Sequence, residues 1–360
     1  MRKILIEGMS GNLGGVETFV HNLYLVLKDK CQVDFITVDP KIPFQDEFES
    51  NGSKIHVITP RYKSVSQFKK DIYNVFKKND YDVFWFNRTT LSSIDTIRLA
   101  KKNGVGTVIC HSHQSKNMGS AFTAVMHNIN RKKVSKYVDY KAACSNVAAE
   151  YFFGNNISDV KIFPNAVNVS KYEPDSNRRK EAREKLGLKD ELVIGHVGRF
   201  AREKNHKQLI DIFDNLSKST NSYLLLCGVG ELMEDAKRQV EEKGIESKVS
   251  FLGMRKDIPD IFQAMDVMIL PSLFEGLPFV LVEAQASGVP CVVSDTVSPE
   301  AKLTDIIDYV PLDAKEDVWK DAILKYKNYE KVSKRDMLNE KGFTFESFEK
   351  EVEKIVKPEC

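Results

Sequence analysis

The stretch Ser272-Leu273-Phe274-Glu275-Gly276-Leu277-Pro278-Phe279-Val280-Leu281-Val282-Glu283-Ala284-Gln285-Ala286-Ser287-Gly288 decides how this chain is read. It follows an apolar run, Asp266-Val267-Met268-Ile269-Leu270-Pro271, with the length and composition of a buried strand. A helix is expected from about Pro278, because proline is favoured in a first turn. Strand, loop and helix in that order place Glu275 at the carboxyl end of a strand, where open α/β sheets bind ligands. The same order aims the first helical N–H groups, those of Phe279 and Val280, at that place, and such groups seat phosphate. A carboxylate beside a phosphate repels it, so Glu275 and Glu283 suit hydrogen bonds from hydroxyls. Phosphate and hydroxyls together describe a nucleotide sugar. The competing reading is two glutamates on an ordinary amphipathic helix, one of them capping its start.

Outward from this stretch, short apolar runs alternate with amphipathic ones along the whole chain. Strands are expected at Lys3–Glu7, Val33–Val38, Lys54–Ile58, Val83–Phe86, Thr107–Cys110 and Tyr140–Cys144. A second set reads Leu192–Val197, Tyr223–Cys227, Val249–Leu252, Val267–Leu270 and Cys291–Val293. Helical patterns lie between them, for example Val16–Lys28, Ser66–Lys78, Asn205–Ser217 and Glu231–Lys243. This alternation implies parallel, doubly wound sheets, two of five or six strands rather than one of eleven. The polar stretch from Asn168 to Asp190 reads as an interdomain linker followed by a surface helix, Arg178–Leu186. Two domains are therefore expected, 1–168 and 169–343. Near the C-terminus, Phe348, Val352, Ile355 and Val356 recur at helical spacing within Phe345–Lys357.

Composition bounds the class. The 360 residues are 42% hydrophobic and 29% charged, as in a globular protein with a full core. No apolar run is long enough for a transmembrane helix, and Met1–Ile6 reads as a first strand rather than a signal peptide. The six cysteines, Cys31, Cys110, Cys144, Cys227, Cys291 and Cys360, lack metal-type spacing, which fits reduced thiols in a cytoplasm. Net charge is +2 but uneven: residues 1–170 carry 23 basic and 15 acidic side chains, while the remainder is net negative. Lys69-Lys70, Lys77-Lys78, Lys101-Lys102 and Arg131-Lys132-Lys133 form basic clusters. They read either as solvated helix faces or as attraction to an anionic membrane surface on the inner face of a cytoplasmic membrane. Nucleic acid is disfavoured, since no aromatic platform interleaves the basic residues.

Further constellations lie at other expected strand ends. Gly8-Met9-Ser10-Gly11-Asn12-Leu13-Gly14-Gly15-Val16-Glu17 follows the first strand and leads into a helix; it is either a phosphate or substrate loop or a plain glycine turn. His111-Ser112-His113 follows Thr107–Cys110, so an imidazole there could reach substrate; the alternative is a satisfied loop histidine. Metal binding is a poor reading, because the pair lacks a third ligand nearby. In the second half, Gly198-Arg199-Phe200-Ala201-Arg202-Glu203-Lys204-Asn205 sets two cations, Arg199 and Lys204, after one strand, as a departing diphosphate requires. A basic surface loop is the other reading. Gly228-Val229-Gly230 departs from a dinucleotide fingerprint in the residues that follow it, so no nicotinamide site is read.

These motifs, running from Gly8 to Gly288, resemble family 4 of the retaining glycosyltransferases, and within it the bacterial capsular and exopolysaccharide branch. Glu275 and Glu283 match its E-x7-E signature, Gly198-Arg199 with Lys204 its G-R-x-x-x-x-K pattern, and Phe163-Pro164-Asn165-Ala166-Val167-Asn168 its P-N-G turn with alanine for glycine. Many relatives have Phe-Gly where this chain has Leu277-Pro278, and Pro278 has no N–H to offer a phosphate. The resemblance implies the GT-B fold, two Rossmann-like domains facing a central cleft, with the last helix, 344–360, packed back on the first domain. It implies an acceptor-binding first domain and a donor-binding second one. It assigns Arg199 and Lys204 to the donor phosphates, Glu275 to the donor sugar and Glu283 to the ribose, with Gly14, Gly15 and His113 on the opposite wall. A hexose-type sugar would pass, with retention and by front-side attack, from a nucleotide diphosphate sugar, UDP above others, to a saccharide or lipid-linked saccharide. No metal or other cofactor is expected. Rival readings are a UDP-sugar 2-epimerase on the same fold and a non-catalytic nucleotide-sugar-binding subunit.

Overall fold

In the computed structural model, residues 1–114, 119–275 and 277–356 are described. Gly276, Lys357 and Cys360 from the readings above lie outside them. The chain divides into two compact units, Met1–Ala166 with the segment from Glu346 onward, and Val167–Phe345.

The first unit is built on a parallel sheet of seven strands: β1 Arg2–Glu7, β2 Cys31–Thr37, β3 Ile55–Val57, β4 Val83–Arg88, β5 Thr107–Ser112, β6 Tyr140–Ala143 and β7 Val160–Ile162. Their order is β3-β2-β1-β4-β5-β6-β7. The second unit has six parallel strands, β8 Leu192–Val197, β9 Ser222–Cys227, β10 Val249–Gly253, β11 Val267–Leu270, β12 Cys291–Ser294 and β13 Ile307–Val310, in the order β10-β9-β8-β11-β12-β13. Each central strand is buried on both faces, which is why the sequence reads there as unbroken apolar runs such as Val267–Leu270. In each sheet the chain winds outward one way from the first strand and then returns to wind the other way. The reversal falls between β1 and β4 in the first unit and between β8 and β11 in the second. These are the switch points outside which α/β sheets bind ligands.

The sequence reading needs correction in three places. Strands β7 and β13 were not expected; both are edge strands of three and four residues, too short to show a pattern. The surface helix expected at Arg178–Leu186 is present, but the stretch from Asn168 to Asp190 that holds it is not a linker. It forms helices Val169–Tyr172 and Ser176–Lys185 within the second unit. Arg178 pairs with Asp260 at 2.7 Å, and Arg179 reaches the carbonyls of Gln263 and Met265 at the end of helix Ile258–Ala264. The first helix begins at Gly15, one residue before the expected Val16.

The last helix, Phe345–Val356, turns its apolar stripe toward the first unit. Phe348 meets Phe19 and Phe163 edge-on, with centroids at 5.5 and 6.1 Å, and Lys30 pairs with Glu353 at 2.7 Å. Cys31, Cys110, Cys227 and Cys291 are free, buried thiols.

Candidate active site

In the second unit the switch point is assembled by loops that press backbone against backbone. Gly228 stands at φ +142°, and a Cβ there would sit 2.0 Å from the Gly198 carbonyl oxygen; at Gly230 it would sit 2.4 Å from that of Phe200. Only glycine allows this approach. The Phe200 N–H donates to Val229 O, and Leu232 N–H donates to Phe200 O, both at 3.0 Å, so the Arg199–Lys204 loop is clamped to the turn after β9. A second clamp ties it to the loop after β11. Asn205, left-handed at φ 55°, donates through Nδ2 to Pro271 O at 3.0 Å, and Leu273 N–H donates to Glu203 O at 2.8 Å.

The consequence is that Lys204 and Glu275 form an ion pair, each side chain 14% exposed. Ser272 Oγ donates to the same Glu275 oxygen at 3.3 Å, and Ser298 N–H holds the Glu275 carbonyl at 3.1 Å. Arg199 is different. It is 65% exposed and pairs with Glu203 at 3.1 Å, a surface contact that contributes little. Helix Phe279–Ala286 starts immediately after Pro278, and among the described residues no side chain caps its first turn. Its Phe279 and Val280 N–H groups therefore open the helix uncapped, on the loop that carries Glu275. One turn further on, Glu283 accepts the Tyr172 hydroxyl at 2.7 Å. Burial raises the Glu283 carboxyl above the usual carboxylate range, while the tyrosine bond pulls it back.

Two histidines that the sequence reading passed over lie beneath this loop. His196, fully buried near the end of β8, donates from Nδ1 to Ile269 O at 3.0 Å, which leaves Nε2 as a lone-pair acceptor with no hydrogen-bond partner. His206 opens helix His206–Ser217 and stacks on Phe200 at 4.0 Å. Burial, with Lys204 nearby, pushes His206 down to about 4 and His196 well below its ordinary value, so both rings are neutral. Their sequence signal was there: Gly195-His196-Val197-Gly198 and Lys204-Asn205-His206 bracket the basic loop.

In the first unit the switch point gathers Gly8, Asn87 and His113. Gly8 has φ +134°, and a Cβ there would fall 2.6 Å from that of Asn87. Asn87 Nδ2 donates to Glu7 O at 3.0 Å, which fixes its amide with Oδ1 toward His113 Nε2, also at 3.0 Å. His113 therefore carries its proton on Nε2. Burial pushes its titration down to about 3, so the ring is neutral with Nδ1 as acceptor. Phe19 packs against it at 4.8 Å. Gly14 is the N-cap of helix Gly15–Leu27 in extended backbone, and Glu17 in the first turn accepts the Ser10 hydroxyl at 2.6 Å. Around Gly15 there is open space for a Cβ, so conformational need does not explain that glycine. Glu7 pairs with Arg88 at the same edge, a contact the sequence did not signal.

The structure thus pairs Lys204 with Glu275 on the loop that leads into the helix of Phe279, Val280 and Glu283, leaves Arg199 paired with Glu203 at the surface, and sets Gly14, Gly15 and His113 in the first unit. Among the described residues no group of His, Cys, Asp and Glu is arranged to hold a metal ion. Two polar cavities lined by described residues, of about 500 and 340 Å³, lie at the amino-terminal edges, one beside Leu192 and Asp266, the other beside Arg2, Asp82 and Thr107. They are remote from the strand ends that carry these side chains.

Comparison with known proteins bears on the family and the fold. Residues 13–171 match the model described as Glycosyltransferase Family 4, and residues 178–342 the model described as Glycosyl transferases group 1. EpsF of Bacillus subtilis (strain 168), named as a glycosyltransferase, is 29% identical over 338 residues, covering 90% of this chain and 88% of its own. The Escherichia coli UDP-Gal:alpha-D-GlcNAc-diphosphoundecaprenol alpha-1,3-galactosyltransferase is 30% identical over 240 residues, 62% of this chain and 60% of its own. Among solved structures, Anabaena HepE in complex with UDP superposes with a TM-score of 0.80 at 17% identity, over 98% of this chain and 99% of that one. WaaG, a glycosyltransferase of lipopolysaccharide biosynthesis, gives 0.71 at 13%, over 99% and 100%. At these identities the likeness speaks for the fold alone.

Proposed function

We propose, for a chain that belongs to glycosyltransferase family 4 and has the GT-B fold, that it transfers a hexose-type sugar from a UDP-sugar to a saccharide or lipid-linked saccharide acceptor, with retention. The observation that carries the reading is the meeting of Lys204 and Glu275 at the β8/β11 switch point, beside an uncapped helix start. A cation and a helix N-terminus suit the diphosphate that leaves, and a carboxylate suits the hydroxyls of the sugar it leaves behind. Glu283 is the acceptor for ribose hydroxyls, and Arg199 swings from Glu203 to the outer phosphate.

The second unit binds donor and the first binds acceptor, with His113 Nδ1 accepting a hydrogen bond from a sugar hydroxyl. Lys204, Arg199 and the helix N–H groups stabilise the departing diphosphate by fixed charge. The leaving phosphate accepts the acceptor's proton, since no carboxylate is assigned as a covalent nucleophile. UDP as nucleotide and a lipid-diphosphate acceptor are supported by the activity for which the Escherichia coli relative is named. A role in capsular or exopolysaccharide synthesis rests on the branch of the family that the motifs resemble.

Incubation with UDP-glucose, UDP-galactose and their N-acetylated forms, with and without an undecaprenyl-diphosphate-linked saccharide, tests the reading. Transfer supports it. Conversion of the UDP-sugar to its 2-epimer without acceptor, or binding with no turnover at all, would replace it with one of the rival readings.

A further inference from the structure

The basic loop of the second unit rests on a buried group that the proposed reaction does not use. His196, on β8, has no exposed surface. Its Nδ1 carries the proton, because Nδ1 faces Ile269 O at 3.0 Å and a carbonyl can only accept. Nε2 is therefore a lone pair, and among the described residues no donor reaches it. A buried acceptor without a donor is costly, so such a group calls for a reason. The direction of the lone pair supplies one. A Cβ on Gly198 would stand 3.0 Å from His196 Nε2 and 3.4 Å from Lys204 Cε. The lone pair and the end of the lysine stem thus border the same point, and glycine leaves nothing there to wedge between them. Backbone fixes Lys204 in that place: it closes the turn Arg202–Lys204 by donating its N–H to Ala201 O at 3.0 Å, and Asn205 ties the turn to Pro271 O. On the other side the His206 ring stands edge-on to His196 at 4.7 Å and stacks on Phe200. The Lys204 ammonium has three N–H donors, and Glu275 accepts one of them.

We infer that His196 is a positioning residue for the leaving group: its Nε2 accepts a hydrogen bond from the Lys204 ammonium once the diphosphate has drawn that ammonium off Glu275. The inference rests on the phosphate role given to Lys204 above. The bond forms by rotation about the last bonds of the lysine stem, and no proton changes hands. Burial keeps His196 neutral, so the ring stays an acceptor and never becomes a second cation that would repel Lys204. His206, also held neutral by burial, adds no charge either. A lysine is a point charge on a flexible stem, and off Glu275 it would be free to wander. The imidazole beneath it fixes the ammonium at the phosphate before charge develops there, which is what preorganised stabilisation of a leaving group requires.

Two substitutions in the full chain separate this role from a structural one. His196→Asn sets its amide nitrogen where Nδ1 stands, so it keeps the bond to Ile269 O and loses the acceptor. His196→Gln sets its amide oxygen where Nε2 stands, so it keeps the acceptor. Calorimetry with UDP should find the asparagine variant about tenfold weaker than the wild type and the glutamine variant within about threefold of it. In a Lys204→Ala background the two should bind alike. A direct reporter is the Nε2 signal of His196 in wild-type protein isotope-labelled at the histidine nitrogens, assigned by its loss in His196→Gln. It should move upfield as UDP is added, and stay in place in Lys204→Ala. An asparagine variant that binds like the wild type, a glutamine variant weaker than the asparagine one, the same difference without Lys204, or an Nε2 signal that UDP does not move would overturn the inference. Lys204→Ala that binds UDP as tightly as the wild type would instead remove the phosphate role of Lys204, and this inference with it. Should either His196 variant melt early, the wild-type Nε2 signal decides by itself.

Discussion

Replacing Glu275 by glutamine should tighten the binding of UDP while it impairs transfer. Lys204 is paired with Glu275, and both side chains are 14% exposed. A nucleotide diphosphate must draw the ammonium away from that carboxylate before it can use it. A hydrogen bond that involves a charged group contributes about 1.5–3 kcal/mol, with the ammonium–carboxylate pair toward the upper end and an ammonium–amide bond toward the lower end. In Glu275→Gln, Lys204 gives up the weaker bond, a difference of about 1–1.5 kcal/mol, which is roughly a five- to tenfold lower Kd for UDP. Turnover moves the other way, because the carboxylate that accepts the sugar hydroxyls is gone. Calorimetry with UDP on the wild type, Glu275→Gln, Lys204→Ala and the double variant isolates the effect. Lys204→Ala should weaken UDP, and in its background Glu275→Gln should change nothing. UDP affinity unchanged or lower in Glu275→Gln would refute the reasoning, as would an equal gain in the absence of Lys204.

Other outcomes follow from the same geometry. Lys204→Ala and Arg199→Ala should each reduce turnover by about 10²- to 10³-fold at an unchanged melting temperature, the loss expected for one preorganised charge at a developing anion; full activity in both would remove the phosphate assignment. UDP affinity should decline as pH falls through the raised titration of Glu283, because the protonated carboxyl accepts ribose hydroxyls poorly. Tyr172→Phe, which removes the bond that holds that titration down, should move the decline to higher pH, and Glu283→Gln should flatten it; calorimetry across neutral to mildly acidic pH measures all three. Transfer should persist in EDTA, with Arg199 and Lys204 supplying the positive charge; activity lost to chelator and restored by manganese or magnesium would count against that.

The parts that could be read from the sequence are those where one local segment carries both the pattern and the chemistry. Glu275 and Glu283 announce themselves by spacing, and Arg199 with Lys204 by their place after an apolar run. What could not be read is which segments meet. Lys204 and Glu275 are 71 residues apart, and β9 and β10 intervene between their strands. Their pairing follows only from the sheet order, in which the chain returns to lay β11 against β8. The polar stretch after Asn168 misled for a related reason. Linkers and hydrogen-bonded packing have the same composition, and here Arg178, Arg179 and Arg183 spend their charge on helix-end carbonyls, on Asp260 and on Asp266. His196 and Asn87 show the limit from the other side. A histidine inside Leu192–Val197 reads as a filler of the core, and an asparagine just after Val83–Phe86 reads as the end of a strand. Each acquires a meaning only through a neighbour that cannot be seen in the sequence: the Gly198 backbone above the His196 ring, and the missing Cβ of Gly8 that lets Asn87 reach both Glu7 and His113. The glycines are therefore as much a part of this site as its charges, since without them the strand ends that bear those charges could not approach.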